Sequence, residues 1–231
     1  MSKITIAIDG FSSTGKSTVA RQLADSLEYI YVDSGAMYRA VTLYAIRNGL
    51  FDDNDPGLER LVAHLPQIHL SFVFDPRLGH SEIRMNGENV DKEIRRMEVS
   101  DRVSQVAVVR EIREKLVEIQ RDIGKDKGIV MDGRDIGTVV FPDAELKIFI
   151  TASPHVRASR RYEELIAKGE QVNYEEVLKN IRERDYIDSH REFSPLKKAE
   201  DAVEIDNSEL GIQEQFEIVL QLAQETIEQS L

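Results

Sequence analysis

Five short apolar runs, "ITIAI" at 4–8, "YIYVD" at 29–33, "GIVMDG" at 128–133, "LKIFIT" at 146–151 and "DAVEID" at 201–206, read as strands. Helical patterns separate them, beginning with a helix over residues 16–27, and this alternation predicts an α/β fold with a five-stranded parallel sheet wrapped by helices. Residues 66–92 break the rhythm. There "IHLSFVF", "SEIRM" and "ENV" predict strands in antiparallel succession, with Asn86-Gly87 as a two-residue turn and "FDPRLGHS" at 74–81 as the exposed connection. The pattern is that of a small antiparallel insert. A closing amphipathic helix is predicted over 211–228, with Ile212, Phe216, Val219, Leu220, Ala223 and Ile227 as its core stripe.

Between the first strand and the first helix lies "GFSSTGKST", residues 10–18. Gly10, Gly15, Lys16 and Ser17 satisfy G-x-x-x-x-G-K-[ST], in which backbone N–H groups curl around phosphate oxygens, the lysine adds a point charge and the hydroxyl of Ser17 can ligate Mg²⁺. The helix N-terminus that follows favours the same anion. Composition narrows the partners. With 42 acidic against 30 basic residues the net charge is −12, which repels polymeric nucleic acid outside a local basic pocket. The absence of cysteine excludes disulfides, thiolate nucleophiles and zinc-thiolate sites. The chain begins at its first strand and carries no apolar stretch long enough to span a bilayer, so a cytoplasmic protein away from membranes is expected.

Asp9, Asp33 and Asp132 fall at the carboxyl ends of predicted strands, the edge where open α/β sheets bind ligands; each also suits a turn or a helix N-cap. Arg39 follows the second strand and Arg134 the third, a pairing suited to a phosphate monoester, although a surface salt bridge would explain either alone. Arg157, Arg160 and Arg161 stand at i, i+3 and i+4 with no acid before Glu163, so one helical face is expected to carry three uncompensated guanidinium groups, on a flap able to close over a triphosphate. Arg184, Asp188 and Arg191 share a face in the same way, and Asp188 is expected to be held between the two arginines. A solvated helix with internal ion pairs is the plainer reading. A second anion site facing the phosphate loop suits a small-molecule kinase better than a switch or motor.

The stretches "GFSSTGKST", "DSGAMYRA", "VSQVA", "MDGRDIGTVVFPDA" and "IRERDYIDSHR", with the insert at 66–92, together resemble the bacterial cytidylate kinases over essentially the whole chain. The resemblance implies a P-loop nucleoside-monophosphate kinase fold with core 1–35, 100–152 and 192–231, an NMP-binding part 36–99 and an arginine-bearing lid at about 153–170. It implies transfer of the ATP γ-phosphate to CMP or dCMP with Mg²⁺, by an expected monomer. Gly10, Phe11, Ser12, Ser13, Thr14, Gly15, Lys16, Ser17 and Thr18 would cradle ATP, with Ser17 on the metal, Asp132 organising its water shell, and Lys16, Arg134, Arg157 and Arg161 acting on the moving phosphoryl group. Arg39, Arg134 and Arg184 would hold the acceptor phosphate. Asp135 with Arg113, aided by Ser34 and Ser104, would read cytosine, and Asp33, Asp188 and Arg191 complete the acceptor set.

Two departures follow. Ser104 and Arg113 are nine residues apart and would face opposite sides of one continuous helix, so the helix is expected to break between them, yet no proline stands there. Phe11 and Thr14 replace the residues expected inside the loop, at positions the phosphate motif leaves open. A kinase for UMP or AMP, a nucleotide-hydrolysing switch and a non-catalytic homologue are the alternatives.

Overall fold

The computed structural model describes residues 3–51, 57–75 and 80–230. The chain runs β1 (Thr5–Gly10), α1 (Lys16–Leu27), β2 (Ile30–Asp33), α2 (Ser34–Arg47) and α3 (Leu58–His64), then an antiparallel set β3 (Leu70–Asp75), β4 (His80–Met85) and β5 (Glu88–Asn89). It continues through α4 (Met97–Ala107), α5 (Arg110–Gly124), β6 (Ile129–Gly133), a π-helical turn at Ile136–Val140, β7 (Leu146–Thr151), α6 (Pro154–Ala167), α7 (Tyr174–His190), β8 (Val203–Asp206) and α8 (Ile212–Gln229). Strand order in the larger sheet is β2-β6-β1-β7-β8 and in the smaller β3-β4-β5. All five predicted core strands form. The α/β class with its small antiparallel insert is the architecture observed.

Two compact units divide the chain, Met1–Tyr31 with Gly124–Leu231 and Val32–Ile123. In the first, β1 pairs in parallel with β6 on one side and β7 on the other, and every residue of β1 is buried, which is why its sequence is apolar at successive rather than alternate positions. Ile6, Ile8, Val130, Ile148 and Ile150 meet Val19 and Leu23 of α1 and Val219, Ala223 and Ile227 of α8. The stripe expected on α8 is therefore core at those last three positions. Ile212 departs from the stripe: it is 65% exposed, while Gln215 of the same first turn is the buried residue there.

The second unit packs α2, α4 and α5 with the antiparallel sheet around Met37, Val41, Leu61, Ile83, Val103 and Leu116. Asn86 and Gly87, both at positive φ, close the β4–β5 turn. Of the predicted connection at 74–81, residues 76–79 lie outside the described residues. The helical segment does break between Ser104 and Arg113: α4 stops at Ala107 and α5 starts at Arg110. Neither proline nor glycine causes it. Arg113 is buried and donates from Nη1 to the Ala107 carbonyl at 3.0 Å, a side chain from the next helix satisfying one of the carbonyls that the end of α4 leaves without a partner. Among the described residues no helix is long and apolar enough to cross a membrane.

Candidate active site

Gly10 ends β1 against the backbone of β7. A Cβ there would lie 2.1 Å from the Ile150 carbonyl oxygen, so only glycine lets the chain leave the sheet at this point. The loop then rises through Phe11–Thr14 and enters α1 at Gly15, whose φ of +83° is again a glycine conformation. Lys16 Nζ donates to the Phe11 carbonyl at 2.9 Å, and Thr14 Oγ1 to the same oxygen at 3.1 Å, so the lysine lies back across its own loop. Ser17 Oγ donates to Asp132 Oδ2 at 2.8 Å, and Tyr31 Oη donates to Asp132 Oδ1 at 2.8 Å. One carboxylate at the end of β6 is thereby aligned beside the first turn of α1. A hydroxyl beside a carboxylate supplies the hard oxygen donors that suit Mg²⁺, which takes few protein ligands and keeps waters and phosphate oxygens for the rest.

Asp9 points the other way. It is 5% exposed and accepts from the backbone N–H groups of Ile136 and Gly137, both at 2.8 Å, fixing the π-turn that follows "DGRD". Burial pushes its carboxyl up to about 7, with Asp135 adding to the rise and the two N–H groups and Lys16 opposing it. The turn reading of this aspartate is the one realised, though the turn it holds lies far along the chain. Asp33 caps α2, its side chain accepting from Ala36 N at 3.0 Å, with Arg95 at 3.5 Å.

The arginine clusters differ from the expectation. Asp188 is not held chiefly within its own helix: Arg134, from the loop after β6, donates Nε to Asp188 Oδ2 at 3.0 Å. Burial works to raise the Asp188 carboxyl, but the combined charges of Arg134, Arg184 and Arg191 outweigh it and hold it below its usual range. Arg191 lies just beyond α7, where it donates from Nε to the Ser194 carbonyl at 2.7 Å and approaches Asp135 Oδ1 at 3.5 Å. Arg184 Nε has no hydrogen-bond partner among the described residues, and burial followed by the Arg134 charge lowers its pKa to about 10.

Nor is the face of α6 uncompensated. Arg157 is 2% exposed and forms a bidentate pair with Asp185 of α7 at 2.7 and 3.0 Å, while also donating to the Ala152 and Ser12 carbonyls and lying over the Phe11 ring. Arg160 donates to Asn207, and Arg161 pairs with Glu164 at 2.8 Å. The face packs against the phosphate loop and the end of β7 instead of standing in solvent, and burial demands partners for each guanidinium.

In the second unit, Arg39 donates from Nη1 to the Ile94 carbonyl at 3.1 Å and to Ser100 Oγ at 2.9 Å. Ser34 and Ser104 are buried at the start of α2 and in α4, and Arg113 lies over the Tyr38 ring. Three participants escaped the sequence reading: Tyr31, Asp185 and Asn207. Asn207 is one residue past β8, next to the strand-end Asp206, and Asp185 is one helical turn before Asp188.

A glycine loop leaving the central strand of a parallel sheet, entering a helix through a lysine and a metal-suited serine, and sharing its unit with a set of inward guanidinium groups defines a P-loop nucleoside-monophosphate kinase. The family model described as cytidylate kinase matches residues 6–225. The chain belongs to that family. Among its relatives, a cytidylate kinase of Flavobacterium psychrophilum is 63% identical over 96% of this chain and 98% of its own, and one of Flavobacterium johnsoniae is 60% identical over 98% and 99%. A solved structure of an uncharacterized protein from Eubacterium ventriosum superposes with a TM-score of 0.50 at 13% identity, covering 97% of this chain and 99% of the other, a likeness of fold alone.

Proposed function

We propose that this protein transfers the γ-phosphate of ATP to CMP and dCMP, yielding CDP and dCDP, with Mg²⁺ bound at Ser17 and its water shell organised by Asp132. Family membership supports the substrate class, and one observation argues for a kinase over a nucleotide hydrolase: Arg134, Arg184 and Arg191 gather around a single buried carboxylate, Asp188, in the unit that carries the phosphate loop. Arg191 is also met by Asp135, but Arg134 and Arg184 share Asp188 and together carry more positive charge than it balances, which favours an anion there. Hydrolysis needs no such second anion site; an acceptor phosphate does.

In this reading the backbone N–H groups of Gly10–Thr18 bind the donor phosphates, and Lys16 exchanges the Phe11 carbonyl for the phosphoryl group in transit. When bound, the metal neutralises charge on the donor phosphates. Arg134 and Arg184 hold the acceptor phosphate, and an oxygen already ionised needs no general base, so positioning and charge stabilisation are the whole of the task. Asp188 takes a sugar hydroxyl while its charge is kept by the surrounding arginines. Cytosine presents a donor at N4 beside acceptors at N3 and O2, and Asp135 supplies an acceptor for N4. Arg191 keeps Asp135 in place through their contact. Helix α6 acts as the lid, with Arg161 reaching the donor phosphates and Arg157 keeping the loop in shape. A coupled ADP-release assay with ATP and Mg²⁺ against CMP, dCMP, UMP, AMP and GMP tests the proposal: release should depend on CMP or dCMP, and equal release with and without every acceptor refutes it.

A further inference from the structure

Asn207 is 1% exposed, and its polar atoms are engaged on every side. Its backbone N–H donates to the Thr151 carbonyl at 2.9 Å, its backbone carbonyl accepts from Arg160 Nη2 at 2.8 Å, and its Oδ1 accepts from Arg160 Nη1 at 3.0 Å. Nδ2 donates to the Thr14 carbonyl at 2.5 Å and to Gln215 Oε1 at 2.9 Å. Only a carboxamide fits this setting, because one end must accept from a guanidinium while the other donates to two oxygens. The neighbouring Gln215 bears this out. Its Nε2 is buried with no hydrogen-bond partner, yet turning its amide over would set that NH₂ against Asn207 Nδ2, so the orphan donor is the consequence of keeping Asn207 aligned.

The bond to Thr14 has a directional effect. Thr14 C=O and Gly15 N–H belong to one planar trans peptide, so they point in opposite directions. Drawing the carbonyl toward Asn207 turns the Gly15 N–H away from it. We propose that Asn207 is a positioning residue for the phosphate loop: it aims the Gly15 N–H at the bound nucleotide's phosphate and, through Arg160, ties that aim to helix α6. The inference rests on reading this loop as the ATP site.

The test is isothermal titration of ATP and of CMP into wild type, Asn207→Ala and Asn207→Asp, alongside steady-state kinetics and thermal melting. Losing one such hydrogen bond should weaken ATP binding about three- to tenfold in Asn207→Ala. Asn207→Asp, which keeps the shape but sets a carboxylate against the Thr14 and Gln215 oxygens, should weaken it further, while CMP affinity stays within about twofold in both. Should neither variant fold, Gln215→Met removes one acceptor of Nδ2 and should shift ATP affinity in the same direction. A lowered melting temperature with ATP affinity unchanged, or an equal loss for ATP and CMP, overturns the proposal. A wild type that binds ATP but shows no CMP-dependent ADP release would refute the kinase reading and leave the ATP affinities of the variants to decide this one; a wild type that binds no ATP overturns both.

Discussion

Replacing Asp9 by asparagine should change how stability depends on pH. In the folded protein the carboxyl titrates at about 7, and in the unfolded chain at its ordinary 3.8, so between these values the folded state holds a proton that the unfolded state has released. Stability is then greatest below about 4 and falls as pH rises, levelling off above about 7. The span, at about 1.4 kcal/mol per pH unit, amounts to roughly 4 kcal/mol between the two plateaus. Asp9→Asn would abolish that slope. It also has a cost that does not vary with pH: one amide oxygen can accept from either Ile136 N or Gly137 N, and the buried N–H left facing the amide nitrogen loses about 1–3 kcal/mol. The variant should therefore be the less stable protein near pH 4.5 and should overtake or equal the wild type by pH 8. Urea unfolding of both proteins at half-unit steps between these values measures the difference. Parallel curves across the range would show that Asp9 is already ionised throughout, and the argument from burial would fail.

Lys16→Ala should lower kcat by about two to three orders of magnitude while CMP affinity changes little, because the ammonium acts on charge that develops in transfer; unchanged turnover removes it from that role. Asp135→Ala should reduce the kcat/KM preference for CMP over UMP by about 1–3 kcal/mol, and an equal loss on both acceptors would make it structural through its contact with Arg191. Asp188→Ala should raise KM for CMP and dCMP by about 1.5–3 kcal/mol with KM for ATP nearly constant, whereas a lowered melting temperature with normal CMP kinetics would mark it as an ion-pair partner of Arg134 only.

The strands and the phosphate loop were legible because their signals are local: β1 carries three successive apolar residues, Ile6–Ile8, because it is buried on both faces, and Gly10 and Gly15 occupy conformations that other residues resist. The helix break at 108–109 was legible as a requirement but not as a mechanism, since the group that caps α4 comes from the next helix. Charged partners were the least accessible. The spacing of Arg157, Arg160 and Arg161 fixes which face of α6 they share, but which acids and carbonyls meet that face depends on α7 and on the loop after β8, elements 28 and 47 residues further on. For Asp188 the helical spacing to Arg184 and Arg191 was correct as proximity of charge, while the hydrogen bond came from Arg134, 54 residues earlier.

The π-turn after β6 has a consequence for the order in which the molecule matures. Its first two N–H groups are held by a carboxylate 127 and 128 residues earlier in the chain, on the strand that lies beside β6 in the sheet. Local backbone bonds, from the Val139 and Val140 N–H groups to the Asp135 carbonyl, close the turn, but its first two N–H groups gain their carboxylate only when β1 and β6 are paired and loop closure over more than half the chain has been achieved. A peptide copied from "DGRDIGTVVFP" would not keep this shape alone, and in refolding the loop should gain its protection from hydrogen exchange with the late sheet contacts and not with the neighbouring helices. One of the stretches that carry the family resemblance is thus a reporter of completed folding.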